Sequence, residues 1–598
     1  MATDPFANRD RDEDADELAF LMQLFSQRRS RRVNFEQQWE ESAALAWPEY
    51  MSSFFYGRDV APGMKRTQFQ VDSSVSVASH RFGAIVDWLI SPSNMLWSKV
   101  RASNEYLMKV PAVKEWFSQF TRILWSERYK AEANFIPQQQ QNCQGLGVFG
   151  NMAMFVDELD DYLDPKARGL RYLGLPVGEI YVETDHQRRV VGFIRHFRLT
   201  AQQHKMKFPG KSVPVIEAAL QISSQQLFDV LHFVRPRTDY NPAFMLAPQG
   251  KKYVSTYMSV QGYCILKRGG YRMNPLAYGR YMLAPDEDYG RGPMQMVLAA
   301  AKSKNAAKRD FLTQAHRAGD PAFLVPDTGL VDLQTRSGAW NAGGVNSDGV
   351  PLVHIMPTGN IQVTKEMLDE EGETINDAFL VSLFKLILDT PKGEQGSRQI
   401  IEYINERGIL LAGTVGGQNP QYLGPLIDRE IDILAWQRRF PPMPPALREA
   451  KGEYKIQYTS PIARAMQSAE SAGYQRTLEF AEDAVKATGD PSIMDVFDFE
   501  VAIPEMGEQN NAPDNWFSSA KKIASKRQAR AAQQKAEDDV KSLPGRAAMA
   551  KAQAITAKAQ TGGNTGGTLS GTPAGGMPMM PGQQSPGGST FGGTVQGP

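Results

Sequence analysis

At 598 residues the chain has length for about four domains. With 42% hydrophobic and 10% aromatic residues it can build sizeable cores. Its 66 basic and 66 acidic side chains cancel, which excludes a DNA-coating protein and leaves any nucleic-acid contact local. Only two cysteines occur, Cys143 and Cys264, which excludes a zinc cluster and fits free thiols in a reducing compartment.

Residues 1–17 are acid-rich and read as a mobile terminus; their start, Met-Ala-Thr-Asp-Pro, has no apolar signal core. A helix follows, with Leu18, Leu21, Met22 and Phe25 on one face, then Phe35, Trp39, Ala43 and Trp47 down to Pro48. Arg28, Arg29, Arg31 and Arg32 lie between, flanked by acids, and read as a solvated face rather than a phosphate site. Asp72 or Ser73 caps the next helix, which carries Val75, Ala78, Phe82, Ile85 or Val86, and Leu89 and stops at Ser91-Pro92. Trp116, Phe120, Ile123 and Leu124 mark another, so the first 145 residues read as mostly helical. From Met152 the pattern turns to short β-branched and aromatic runs at 154–156, 178–182, 190–197, 228–234 and 253–267, predicting a mainly antiparallel sheet.

Pro293 suits the first position of a helix that runs to about Gly319 and carries Lys302, Lys304, Lys308 and Arg309. Residues 320–362 alternate strand runs (Phe323 to Val325, Leu352 to Met356) with Gly-rich turns. The stretch from Thr364 to Gln437 organises the rest. Leu368, Ile375, Phe379 and Leu383 recur at helical spacing over Thr364 to Leu388, a rod of roughly 38 Å. Its most apolar run, Phe379 to Leu388, is short and holds Lys385, so no membrane contact is expected. Asp389 to Ser397 holds one Pro and two Gly and breaks the helix. A second helix restarts near Arg398, is interrupted at Gly413 to Pro420, and resumes through Leu426, Ile427, Ile431 and Leu434. Taken alone, this is a helical hairpin inside a helix-rich α+β chain. Residues 446–515 read as a strand then helices, and 516–560 as strongly helical. The tail from Thr561, with 13 Gly in 38 residues and no charge, reads as disordered.

Chemical motifs are sparse. Gly145-Leu-Gly147-Val-Phe-Gly150 matches the dinucleotide fingerprint literally, but helix precedes it and strand follows, so a helix-to-strand turn is expected. Gly210-Lys211-Ser212 lacks the first glycine of a phosphate loop, Lys205 standing there. The seven histidines show no paired metal spacing, and the run Asp157, Glu158, Asp160, Asp161 reads as a solvated strand end. No catalytic constellation, cofactor or metal site is expected. Lys521, Lys522, Lys526, Arg527 and Arg530 put a basic face on the late helix, suited to phosphates or simply to solvent.

The order of the pieces over about 35–510 resembles the portal (head-to-tail connector) proteins of short-tailed bacteriophages. The matching residues are Trp39 to Pro48; Asp72-Ser-Ser through Ala78 and Leu89 to Pro92 and Trp97; Phe149-Gly150-Asn151; Pro176 to Glu179; Gly192 and Arg195; Tyr289-Gly-Arg-Gly-Pro293; and Leu426-Ile-Asp-Arg429. Where the family often has Thr-Ala-Thr-Glu, this chain has Arg398-Gln-Ile-Ile-Glu402.

The resemblance implies a ring of twelve subunits at one capsid vertex around a channel for double-stranded DNA, without sequence preference. It implies a wing (18–292), stem helices (293–319 and 363–389), a clip (320–362), a tunnel loop (390–397), a kinked helix and linker (398–445), and a crown with C-terminal helix (446–560). Pro391, Lys392, Gly393, Glu394, Gln395 and Gly396 would form the tunnel loop. Lys302, Lys304, Lys308 and Arg309 would be the stem's basic residues, and Asp332, Arg336, Trp340 and Asn341 the clip's contacts with motor or adaptor. Implied partners are the terminase large subunit, the major capsid and scaffolding proteins, and tail adaptors. The chain would pass through the host cytoplasm during assembly and end in the virion. The rival readings are a scaffold or tail adaptor, and, less compatible with the missing phosphate loop, a nucleotide-driven enzyme.

Overall fold

The structure, a computed structural model, describes residues 5–51, 54, 63–160, 168–211, 213–222, 225–244, 247–325, 333–357, 361–382, 416–450, 452–499, 502–503, 506–507 and 520–561. Tunnel-loop residues Pro391 to Gly396 and clip residue Asp332 lie outside these. The chain divides into units 1–512 and 513–598.

Helix α1 (Pro5–Ala46) begins inside the acidic segment expected to be mobile, and there Arg268 pairs with Asp14 and, at 2.8 Å, with Glu17. α2 (Ser74–Ile90) starts after Ser73 and stops before Ser91, burying Val75, Ala78, Phe82, Val86 and Leu89 along one stripe. Strand β1 (Ser98–Ala102), the short α3 (Glu105–Met108), and α4 (Pro111–Arg128) follow. α5 (Phe135–Phe149) ends at Gly150, whose φ of 74° terminates the helix in a left-handed turn. The literal dinucleotide fingerprint is therefore a helix end leading into β2.

β2 (Asn151–Glu158), β3 (Leu170–Gly174), β4 (Ile180–Thr184) and β5 (Val190–Thr200) come next, then α6 (Ala201–Lys207) and α7 (Pro214–Gln221). β6 (Leu227–Pro236), β7 (Tyr253–Ser259), β8 (Cys264–Tyr271) and β9 (Leu276–Arg280) complete the region. All pairings are antiparallel, in a five-stranded sheet ordered β4-β5-β6-β7-β8 and a three-stranded sheet ordered β3-β2-β9. Side chains alternate across the larger sheet. Phe228 and Val230 face Phe208, Val213 and Ile216 beside α6 and α7, whereas Leu231 and Phe233 face Leu18, Leu21 and Phe25 of α1. The principal core lies between α2, α5, the smaller sheet and the later kinked helix.

α8 (Pro293–Met296) and α9 (Leu298–Gly319) replace the single expected stem helix, broken at Val297. β10 (Phe323–Leu324) and β11 (His354–Ile355) pair antiparallel, and α10 (Ile361–Ala378) returns. The expected helix 363–389 is corrected here. α10 ends at Ala378, a length of about 27 Å, the chain turns through Leu380 with a φ of 61°, and helix resumes at Val381 and Ser382, residues 383–389 lying outside the described ones. Phe379 and Val381 are both buried, Phe379 edge-on to Phe82 at 5.9 Å. Residues two apart on a helix point to different sides, so the break is what lets both enter the core.

A π-helical turn (Asn419–Leu423) leads into α11 (Gly424–Trp436), at the interruption expected to end at Pro420. α12 (Pro445–Glu449) and β12 (Tyr454–Tyr458) follow, then α13 (Pro461–Thr488). β12 pairs antiparallel with β1, Ser98 opposite Tyr458, joining the strand expected after 446 to the N-terminal region. In the second unit, α14 (Ala520–Thr561) is a continuous helix bearing the expected basic residues.

Candidate functional site

The chain enters α8 and α9, expected to be the first stem helix, where two glycine-bearing segments cross. A Cβ on Gly290 would lie 2.4 Å from the Gly150 carbonyl oxygen, and one on Gly292 would lie 2.7 Å from the Gly150 nitrogen. The spacing of Tyr289-Gly-Arg-Gly-Pro293 is thus a steric requirement: the chain entering α8 lies directly on the end of α5. Asn151 holds the crossing. Its side chain donates to Phe149 and Gly290 carbonyls at 2.7 and 3.1 Å and accepts from the Gly290 N–H at 2.8 Å and the Tyr278 hydroxyl at 2.9 Å. Gln295 bonds back to the Gly292 N–H at 2.6 Å, closing the first turn.

α9 and α10 then pack side by side and antiparallel, Lys304 lying against Gly372. Ala301 and Ala307 are buried on α9, Leu368 and Ile375 on α10. The four basic stem residues divide. Lys302 pairs with Glu41 of α1 at 2.7 Å, and Lys304 sits 3.8 Å from Asp72. Lys308 lies over the Phe311 ring at 5.4 Å, and Arg309 is exposed. Two of the expected basic residues therefore tie stem to wing, leaving Lys308 and Arg309 further along the rod.

Sequence reasoning missed Asn305. Its Oδ1 accepts from the backbone N–H groups of Val71 and Asp72 at 2.8 and 3.0 Å, and its Nδ2 donates to the Phe69 carbonyl at 2.9 Å. Three hydrogen bonds from one amide dock α9 onto the segment leading into α2. Asn305→Ala is expected to lower stability by about 1–3 kcal/mol, because two backbone donors lose their acceptor. Urea unfolding measures the loss, and a change under about 0.5 kcal/mol would show that water replaces the amide without cost.

Between α9 and α10 lies the segment expected to be the clip. Asn341 braces its loop, accepting from the Gln334 N–H at 2.8 Å and donating to the Gln334 carbonyl at 3.1 Å, so this residue shapes the surface it was expected to contact with. The Arg336 carbonyl accepts from the Ala339 N–H at 3.0 Å, turning the chain so that Trp340 stands 94% exposed. Val345, Val350, Ile355 and Met356 are exposed as well, an apolar collection that a lone soluble chain does not normally present.

At the other end, the basic run of α1 divides: Arg29 and Arg31 are exposed, as expected of a solvated face, whereas Arg28 and Arg32 form a clamp. Arg32 is 1% exposed, donates to the Val177, Gly178 and Ile180 carbonyls at 3.2, 3.0 and 2.7 Å, and stacks over Tyr181. Arg28 reaches Glu183 at 2.9 Å. These contacts use the Pro176 to Glu179 turn singled out in the sequence.

Deep in the wing, Arg128 and Glu430 form two hydrogen bonds of 2.9 and 2.6 Å, with side chains 1% and 0% exposed. The Tyr172 hydroxyl donates to Glu430 at 2.6 Å, and Arg128 lies over Trp97 at 4.3 Å. Burial, then the adjoining carboxylate, pushes the Tyr172 phenol well above its ordinary range. The cluster pins α11, and with it the π-helical turn, to α4 and β3. Among the described residues no group of His, Cys, Asp and Glu is placed to hold a metal.

Comparison with known proteins places this arrangement. The chain is similar over 554 residues to the portal protein of Salmonella phage epsilon15, at 22% identity, covering 90% of this chain and 94% of that one. It is 21% identical over 492 residues to a probable portal protein of Bordetella phage BPP-1, covering 81% and 85% respectively. Residues 19–517 match the family model of the bacteriophage head to tail connecting protein, and the chain belongs to that family.

Proposed function

We propose that this chain is the portal subunit of a tailed phage. Copies close into a ring of twelve at one capsid vertex, and double-stranded DNA enters and leaves through its axis. The observation that carries the reading is the coincidence of a family match over 19–517 with a paired-helix stem that ends in an apolar, solvent-open clip. A single chain leaves Trp340 and its neighbours bare, whereas a heterologous contact that closes on itself covers such a face in every copy. The role is structural, with packaging energy supplied by a separate motor, the terminase large subunit, docking on the clip. Tail adaptors take the same end later, the major capsid and scaffolding proteins surround the wing during assembly in the host cytoplasm, and the finished ring stays in the virion.

Negative-stain images of the purified protein are expected to show rings with an axial hole. Monomers alone, across salt and protein concentration, would overturn the proposal. The tunnel loop is tested separately. Deleting Pro391 to Gly396 should leave rings intact while lowering DNA filling or retention of heads, since a single cation, Lys392, offset by Glu394, makes weak and exchangeable phosphate contacts. Normal filling with the loop removed would sink that assignment.

A further inference from the structure

The wing holds a cavity of about 710 Å³ between the start of β5, the start of β7, β9 and the π-helical turn. That volume is within the range of about 300–1,000 Å³ that small-molecule sites occupy. Its apolar surface comes from Tyr253, Leu276, Leu283 and Pro420. Four cations also line it, Arg188, Arg189, Lys252 and Arg280, against one carboxylate, Asp428, whose Oδ1 is already taken by the Tyr454 hydroxyl at 2.8 Å.

The cations differ. Arg189 is 70% exposed and pairs with Asp185 at 3.0 Å; Arg188 is 46% exposed and pairs with Asp286 at 3.2 Å. Both stand at the rim. Arg280 is 7% exposed and makes no carboxylate contact among the described residues. Among the described residues it donates only to carbonyls, of Arg188 at 2.7 Å and of Asp288 at 3.4 Å, and its buried Nε has no partner there. Pro420 and Gln421 of the π-helical turn form one wall. A buried guanidinium that no carboxylate touches, with the Asp288 charge acting on it only from farther off, is costly unless an anion completes it. π-helical turns inside α-helices occur frequently at functional sites.

We propose that this cavity binds a small organic anion, its apolar body against Leu276 and Tyr253 and its charged group on Arg280. The site lies in the wing, away from the stem and clip, and does not depend on the portal reading.

The probes are anilinonaphthalene sulfonate and its neutral counterpart, N-phenylnaphthylamine, titrated onto the full chain and followed by fluorescence. The sulfonate should bind at one saturable site per chain. Arg280→Gln should weaken the sulfonate by about tenfold or more and leave the neutral probe within about twofold, the loss expected for a charged hydrogen bond. Leu283→Trp, which fills the cavity, should remove both. Circular dichroism and the melting temperature establish that each variant is folded. Should Arg280→Gln not fold, Lys252→Ala at the exposed rim is the charge test, and it should weaken the sulfonate selectively. Wild-type affinity in both the cavity-filling and the charge variant would overturn the site. Equal weakening of both probes by the charge variant would overturn its anion selectivity and therefore the proposal.

Discussion

Glu430→Ala is expected to destabilise the wing by about 3–5 kcal/mol, because it leaves the Arg128 guanidinium buried without its carboxylate. The two side chains are 1% and 0% exposed, so the guanidinium left behind is shielded from bulk solvent. Tyr172 loses its acceptor in the same step, which adds to the cost. The triple change Arg128→Met, Glu430→Leu and Tyr172→Phe should recover most of the loss, since apolar groups of similar volume replace charges that were expensive to desolvate. Urea unfolding followed by tryptophan fluorescence reads this directly, Trp97 stacking on Arg128. A single-variant loss below about 1 kcal/mol, or a triple variant weaker than the single one, would show that the cluster is not held as described.

The second large effect is expected at the glycine crossing. Gly150→Ala adds a methyl group that would lie 2.5 Å from the Gly290 carbonyl oxygen and the Gly292 nitrogen, at a residue whose φ is 74°. The left-handed conformation costs an L-residue about 1–2 kcal/mol. Overpacking against backbone, which cannot rotate away, adds about 1–3 kcal/mol or more. Gly338→Ala is the control: its φ is 75°, but nothing lies within 4 Å of its Cβ position. The difference between the two variants in unfolding free energy isolates the collision. Equal losses would mean that α8 shifts off α5 freely and that the stem is not seated there.

Local elements were legible because their causes are local. α2 stops at Ser91-Pro92 as its sequence indicates, though Ser73 makes no side-chain cap at its start, and the strand runs follow from β-branched and aromatic residues that the larger sheet buries on both faces. The glycines of Tyr289 to Pro293 were visible as a motif, but their reason, a second chain segment 140 residues earlier in sequence, was not. Asn305 and Glu430 look like ordinary surface residues of helices, and only the partners at Val71 and Arg128 reveal otherwise. The apolar spacing of Ile375, Phe379 and Leu383 suited a continuing helix, yet Val381 also needed burial, and the break at Leu380 resolved that conflict. Arg32 sat in a basic run between acids, and no local pattern distinguishes a clamp on three carbonyls from a solvated face.

The pairing of Ala102 with Tyr454 has a bearing on how the protein is made. β1 leaves the ribosome early, and its partner strand is encoded some 350 residues later. At roughly 5–20 residues per second, about 20–70 s pass between them. Throughout that interval β1 presents an unpaired edge able to template association with another nascent chain. Polysomes bring such chains close together, so the wing is completed only as synthesis nears the start of α13, and slowing translation between those two points should raise aggregation more than slowing it after Thr488.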